Sequence, residues 1–139
     1  MQVKVRFTAE VNPTEDRGKL QKAVVNLTGF DASVEERVEA GRLMLVCERE
    51  GAGSLGRLKS MLESQRIREA ARVVLARGMR ANRIMIAFNR QAAFAGKVSF
   101  SDSPDDSPLG PIRVEIEADD PYGVIDWVAP PPRVRRIGA

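Results

Sequence analysis

Val3, Val5, Phe7, Ala9 and Val11 alternate with Lys4, Arg6, Thr8 and Glu10. A period of two over nine residues predicts a strand with one buried face. Asn12-Pro13-Thr14 breaks that pattern, with Thr14 placed to cap a helix and Glu15 and Asp16 placed where the helix dipole favours acids. Leu20, Ala23, Val24 and Leu27 then recur at helical spacing, and Gly29 is a natural stop. Residues 33–39 and 42–48 read as two strands of a hairpin turning at Ala40-Gly41, with Cys47 in the second strand.

From Ser54 to about Met79 the spacing is helical, as one bent helix or two. Leu55, Leu58, Met61 and Leu62 form one apolar stripe, and Ile67, Ala70, Ala71, Val74 and Leu75 a second. Arg66, Arg68, Arg72 and Arg77 flank the second stripe, with Glu69 at pairing distance from Arg66 and Arg72. Residues 82–88 form a strand whose Ile84, Ile86 and Phe88 share a face. Asn89 caps a helical turn over 90–95 that Gly96 closes, and 97–100 is extended. A Ser/Asp/Pro loop covers 101–108, and Ile112, Val114, Ile116 and Ala118 alternate with Arg113, Glu115 and Glu117 in a further strand. Residues 123–128 read as a last short strand or turn with Trp127 in the core; Pro130-Pro131-Pro132 ends regular structure. Alternating strands mixed with amphipathic helices predict an α+β fold: a mixed or antiparallel sheet with helices mainly on one face. We expect one domain over 1–130 and a basic, mobile tail over 131–139.

The chain has 139 residues, no histidine and one cysteine. That excludes a Ser-His-Asp triad, a Cys-His dyad, His- or Cys-cluster zinc and an internal disulfide. No apolar run is long enough to span a membrane and the N-terminus lacks a signal peptide's apolar core, so a cytoplasmic protein is expected. The net charge of +3 hides an uneven distribution. Residues 1–56 carry 8 basic and 9 acidic side chains, 57–97 carry 10 and 2, and 98–139 carry 4 and 8. Crowded like charge invites a polyanion, because phosphates that neutralise it release counterions. The plain alternative is that folding brings Glu35, Glu36, Glu39 or Asp102, Asp105 and Asp106 beside these arginines.

Three constellations carry candidate chemistry. Gly51-Ala-Gly53-Ser-Leu-Gly56 matches G-x-G-x-x-G after a strand, but Arg57 and Leu58 stand where a phosphate loop needs lysine and a hydroxyl. A glycine turn with Ser54 capping the helix fits better. Asp102, Asp105 and Asp106, with Asp119 and Asp120, lack a calcium-loop pattern and read as solvated turns. Asn89, Arg90 and Gln91 beside Arg80, Arg83 and Lys97 suit hydrogen bonding to phosphate, sugar or base edges. Phe88, Phe94 and Phe100 lie nearby; stacking on bases and burial in the core compete for them.

Pro13-Thr-Glu-Asp16, Gln65-Arg66, Asn89-Arg-Gln-Ala-Ala93, Pro108-Leu-Gly-Pro-Ile112 and Ile125-Asp-Trp-Val-Ala-Pro130 occur in an order that resembles a family of small archaeal proteins uncharacterised in function. Arg90 stands where that family's pattern has lysine and Val128 where it has leucine. The family's fold resembles that of the ribosomal protein that binds 5S ribosomal RNA. The resemblance covers nearly the whole chain; it implies RNA binding rather than an activity, and a thermophilic archaeal source.

The sequence therefore predicts a non-catalytic RNA-binding protein with no cofactor and no metal. Arg66, Arg68, Arg72, Arg77, Arg80, Arg83, Arg90 and Lys97 are the expected phosphate contacts, and Asn89 and Gln91 the added polar ones. The alternatives are a protein-interaction module, such as a homodimer joined through a sheet edge, or a carboxylate enzyme using Asp105 and Asp106.

Overall fold

Among the described residues six strands form one sheet, β1 Val3–Glu10, β2 Val34–Glu39, β3 Arg42–Glu50, β4 Met79–Arg80, β5 Arg83–Phe88 and β6 Ile112–Ala118, in the order β2-β3-β1-β6-β5-β4. Every adjacent pair is antiparallel. The computed structural model describes residues 2–29, 34–101 and 110–132. Among the described residues five α-helices accompany the sheet: α1 Arg17–Thr28, α2 Gly56–Ser64, α3 Arg68–Arg77, α4 Arg90–Phe94 and α5 Pro121–Val128.

The alternation seen in the sequence decides which face the helices cover. Val5, Phe7, Ile84, Phe88, Ile112, Val114 and Ile116 are at most 2% exposed and join Leu20, Leu27, Leu58, Leu62 and Leu75 of the helices in one core. Registers such as Phe7 opposite Cys47 and Val114 keep the apolar sets in line across the sheet. A slip of one residue would turn a strand's apolar set outward, so burial itself fixes the register. Burial also pushes the Cys47 thiol above its ordinary pKa, the desolvated thiolate being disfavoured. That suits a small core residue, as the sequence indicates.

Local chemistry sets the ends of elements, not always where the pattern puts them. Asp16, rather than Thr14, caps α1: its Oδ1 accepts from the amides of Gly18 at 2.9 Å and Lys19 at 3.3 Å, worth about 1 kcal/mol. Glu15 is thereby left to turn inward. Ala40 and Gly41 both adopt positive φ, 52° and 77°, the hairpin turn whose twist matches its strands. The helical stretch after Gly51 divides in three: a 3-10 turn over Ala52–Leu55, then α2, then α3 after Arg66 at φ 57°. Ser54 does not cap a helix; its hydroxyl donates back to the Gly51 carbonyl at 2.6 Å.

Residues 121–128 are a helix, not the expected strand or turn. Pro121 sits at the first helical position, where its fixed φ and missing N–H suit a helix start. The Asp120 carboxylate accepts from the Gly123 amide at 3.0 Å. Trp127 is half-buried and packs at the edge of the core.

Gly78 joins the helix layer to the sheet. Its carbonyl accepts from the Met85 amide at 3.0 Å, and a Cβ added there would lie 2.1 Å from the Met85 carbonyl oxygen. Gly78→Ala must push α3 off β5. The expected loss of stability is at least about 2 kcal/mol, toward the upper part of the range for overpacking, and denaturant unfolding measures it.

Candidate nucleic-acid interface

The two faces of the molecule handle charge differently. Cross-strand registers place Lys4, Arg6, Arg37, Arg42, Arg80, Arg83 and Arg113 on the open face of the sheet, with Glu10, Glu35, Glu39, Glu48, Glu50, Glu115 and Glu117. These cancel. Arg6 pairs with Glu39, Arg37 with Glu48 and Glu35, Arg42 with Glu10 at 3.1 Å, and Arg83 with Glu115 at 2.9 Å. Arg37 donates hydrogen bonds to Glu48 and to Glu35, and these, the one to Glu48 first, raise its pKa above its usual value. No aromatic side chain occupies this open face among the described residues.

Glu35, Glu36 and Glu39 are thus engaged by Arg37, Arg17 and Arg6, all from the first third of the chain. They do not neutralise the arginine-rich middle, as one expectation had it. Asp102, Asp105 and Asp106 lie outside the described residues. Of the remaining acidic candidates, Asp119 accepts from the Gln2 amide and Asp120 caps α5. Among the described residues no group of three or more carboxylates or thiols could hold a metal. The glycine pattern at 51–56 follows β3, which is antiparallel to both its neighbours, whereas the dinucleotide motif requires a parallel strand.

The ten residues singled out in the sequence scatter into distinct settings. Arg90 is only 3% exposed and leaves the set of phosphate contacts. Its Nη1 donates to both Glu15 carboxylate oxygens, at 2.7 and 2.9 Å, and to the Glu10 carbonyl at 3.1 Å, while Nε donates to the Gly110 carbonyl at 2.7 Å. It clamps the end of β1, the entry to α1 and the approach to β6. Asn89 is spent as the α4 cap, accepting from the Ala92 amide at 2.9 Å. Arg72 ties α3 to α5 through Asp126 and the Ala129 carbonyl, both at 2.8 Å. No ion pair joins Glu69 to Arg66 or Arg72 among the described residues. Arg83 is paired on the opposite face, and Arg80 folds back on the carbonyls of Arg77 and Met79. Phe88 is fully buried against Phe100, ring centroids 5.4 Å apart.

Arg66, Arg68, Arg77 and Lys97 are exposed, and no carboxylate among the described residues pairs with any of them. Lys97 borders a cleft of about 180 Å³ lined also by Arg57, Ser60, Ser64 and Gln65. Gln65 holds the far wall in place: its amide donates to the Val98 carbonyl at 3.0 Å and accepts from the Val98 amide at 2.7 Å. Two guanidinium or ammonium heads and two hydroxyls around a small cleft suit phosphate oxygens.

A second groove of about 480 Å³ runs between α1 and α4, lined by Lys19, Gln91 and Phe94 over Leu20 and Ala23, with Thr14, Glu15, Asp16 and Arg90 also on its walls. Phe94 is 36% exposed, with the ammonium groups of Lys22 and Lys19 at 5.1 and 5.8 Å from its ring centre. Asn26 links the two clefts. Its side chain donates to the carbonyls of Ala93 and Phe94, at 2.9 and 3.2 Å, and its own carbonyl accepts from Arg57 at 3.3 Å. Sequence reasoning missed Lys19, Lys22 and Arg57 as members of one surface. The spacing of Lys19 and Lys22 marked a shared helix face, but nothing local marked Phe94 as their neighbour.

A family model described as RNA binding matches residues 4–118. A UPF0201 protein of Methanopyrus kandleri is 46% identical over 135 residues, spanning 91% of this chain and 84% of its own length. The chain belongs to the UPF0201 family. Another UPF0201 protein, from Aeropyrum pernix, is 42% identical over 130 residues, covering 93% of this chain and 86% of that one. The crystal structure of a UPF0201 protein from Methanococcus jannaschii matches with a TM-score of 0.75 and 31% identity, over 94% of this chain and 95% of that one. The recognition made from short strings is thus supported at the level of this archaeal family. No helix among the described residues is long and apolar enough to cross a membrane.

Within this UPF0201 chain the buried pair offers a direct test. The Glu15 side chain is 8% exposed and that of Arg90 4%. Truncating Arg90 strands a buried carboxylate, so Arg90→Ala is expected to cost about 3–5 kcal/mol; thermal and denaturant unfolding read the loss.

Proposed function

We propose that the protein binds RNA without catalysis, through its helix layer rather than its open sheet. One observation carries this reading: on the helix side Arg57, Arg66, Lys97, Lys19 and Lys22 have no carboxylate partner among the described residues, and two of them border a hydroxyl-lined cleft that Asn26 ties to the Phe94 groove, whereas four of the seven open-face cations are paired and only Lys4, Arg80 and Arg113 are not. Arg57, Lys97, Ser60 and Ser64 hold backbone phosphates, with Arg66 extending the basic surface. Lys19 and Lys22 hold a further phosphate, Phe94 stacks on an unpaired base, and Gln91 supplies an amide for its edge. Arg68 and Arg77 contribute longer-range attraction.

The match to a family model described as RNA binding supports this reading. The electrostatics supply the physical reason. A charge already paired with a carboxylate gains little from a phosphate, because the existing pair must first be given up. On the open face that exchange is required at Arg6, Arg37, Arg42 and Arg83. Around the α2 cleft it is not.

The measurement is RNA affinity against salt concentration, using a single-stranded oligonucleotide. Engagement of about five phosphates gives a log–log slope near −3.5. Replacing Arg57 and Lys97 together with glutamine removes two contacts and flattens the slope by about 1.4, whereas Arg83→Gln leaves it unchanged. Binding that is insensitive to salt, or that is weakened only by Arg83→Gln, contradicts the proposal.

A further inference from the structure

The sheet has two edges of unequal length. β4 is two residues long, whereas β2 is six. The direction of the β2 backbone groups follows from its neighbours. The Val11 amide donates to the Leu43 carbonyl and the Gly51 amide to the Val3 carbonyl, so the odd residues of β3 bond toward β1. Hydrogen-bonding direction alternates along a strand. The even residues of β3 therefore bond to Glu35, Arg37 and Glu39 in the observed register. The amides and carbonyls of Val34, Glu36 and Val38 point out of the sheet.

We infer that this edge pairs with the same edge of a second copy, as an antiparallel two-fold dimer centred on Glu36. A two-fold axis perpendicular to the sheet keeps each side chain on its own face, so only residues of like parity face each other across the seam. Centred on Glu36, Val34 faces Val38 of the second copy and Glu35 faces Arg37, each twice. About six backbone hydrogen bonds would join the copies through residues 34, 36 and 38. Val38, 74% exposed in the single chain, is covered by Val34, which already packs against the core. The Glu36 carboxylates meet at the axis, each with Arg17 of its own chain at 3.3 Å.

The other registers are worse. A shift one way sets Glu35 against Glu35. A shift the other way sets Arg37 against Arg37 and Glu35 against Glu39. A larger shift that again pairs opposite charges, Arg37 with Glu39, leaves only three strand residues in the ladder and competes with the Arg6–Glu39 pair. Charge on an edge strand commonly prevents indiscriminate pairing. Here the charges favour one register over its neighbours: each Glu36 at the axis keeps Arg17 of its own chain, and Arg37, held by Glu35 and Glu48 of its own chain, gains a further carboxylate across the seam, so the occupant they favour is this strand itself.

Light scattering on nuclease-treated protein tests this independently of any RNA. The expected mass at tens of micromolar is twice that of the chain, and Val38→Pro halves it. Proline there removes only an outward-facing amide, so thermal unfolding should confirm that the fold persists. Glu35→Arg and Arg37→Glu, made singly, each place like charges across the seam and give monomers. Mixed together, those two variants regain the dimer mass, because each supplies the charge the other lacks. A monomeric native chain overturns the inference, and so does a dimer that survives both Val38→Pro and the single charge reversals.

Discussion

One-sided burial of the sheet is the constraint on which the rest depends. Each strand turns alternate side chains to the helices and to water, so the charged set must share the open face. Neighbouring strands there are only about 5 Å apart, so like charges cannot be ignored. The sequence meets this by balancing arginine and lysine against glutamate across the strands. Positive charge in excess then has one place left to go, the outer side of the helices. The uneven distribution along the chain becomes an uneven distribution between two faces.

Arg90 and Glu15 set the other condition. Their pair sits where β1 ends, α1 begins and β6 approaches, and three backbone carbonyl contacts accompany the carboxylate. A buried ion pair of this kind contributes less net stability than its geometry suggests, since both ions lose their hydration. Its effect is on placement. It holds α4 against α1, and that contact builds the groove in which Phe94 lies beside Lys19 and Lys22.

Much of the fold was legible because it rests on local pattern. The alternation of Ile112, Val114 and Ile116, the hairpin at Ala40-Gly41 and the cap at Asn89 are all signals within a few residues. α5 was not legible as a helix because Pro121 and Gly123 read as breakers; the proline is acceptable only because it occupies the first helical position behind Asp120. The candidate site was less legible, for a different reason. Arg90 lies between Asn89 and Gln91 and looks like a surface cation, but its partner is 75 residues away. Nor does the sequence say that Arg83 points to the opposite side from Arg57. Charge totals along a chain do not distinguish a free guanidinium from a paired one; cross-strand register does.

The surface proposed to meet RNA is the helix side, and not the charged sheet. Backbone amide chemical shifts followed during titration with a short single-stranded RNA test it most directly. The account predicts the largest shifts at Lys19, Lys22, Arg57, Ser60, Phe94 and Lys97, with Lys4, Arg6 and Arg113 nearly still. Shifts concentrated on Lys4, Arg6 and Arg113, with the α2 cleft unmoved, would contradict it.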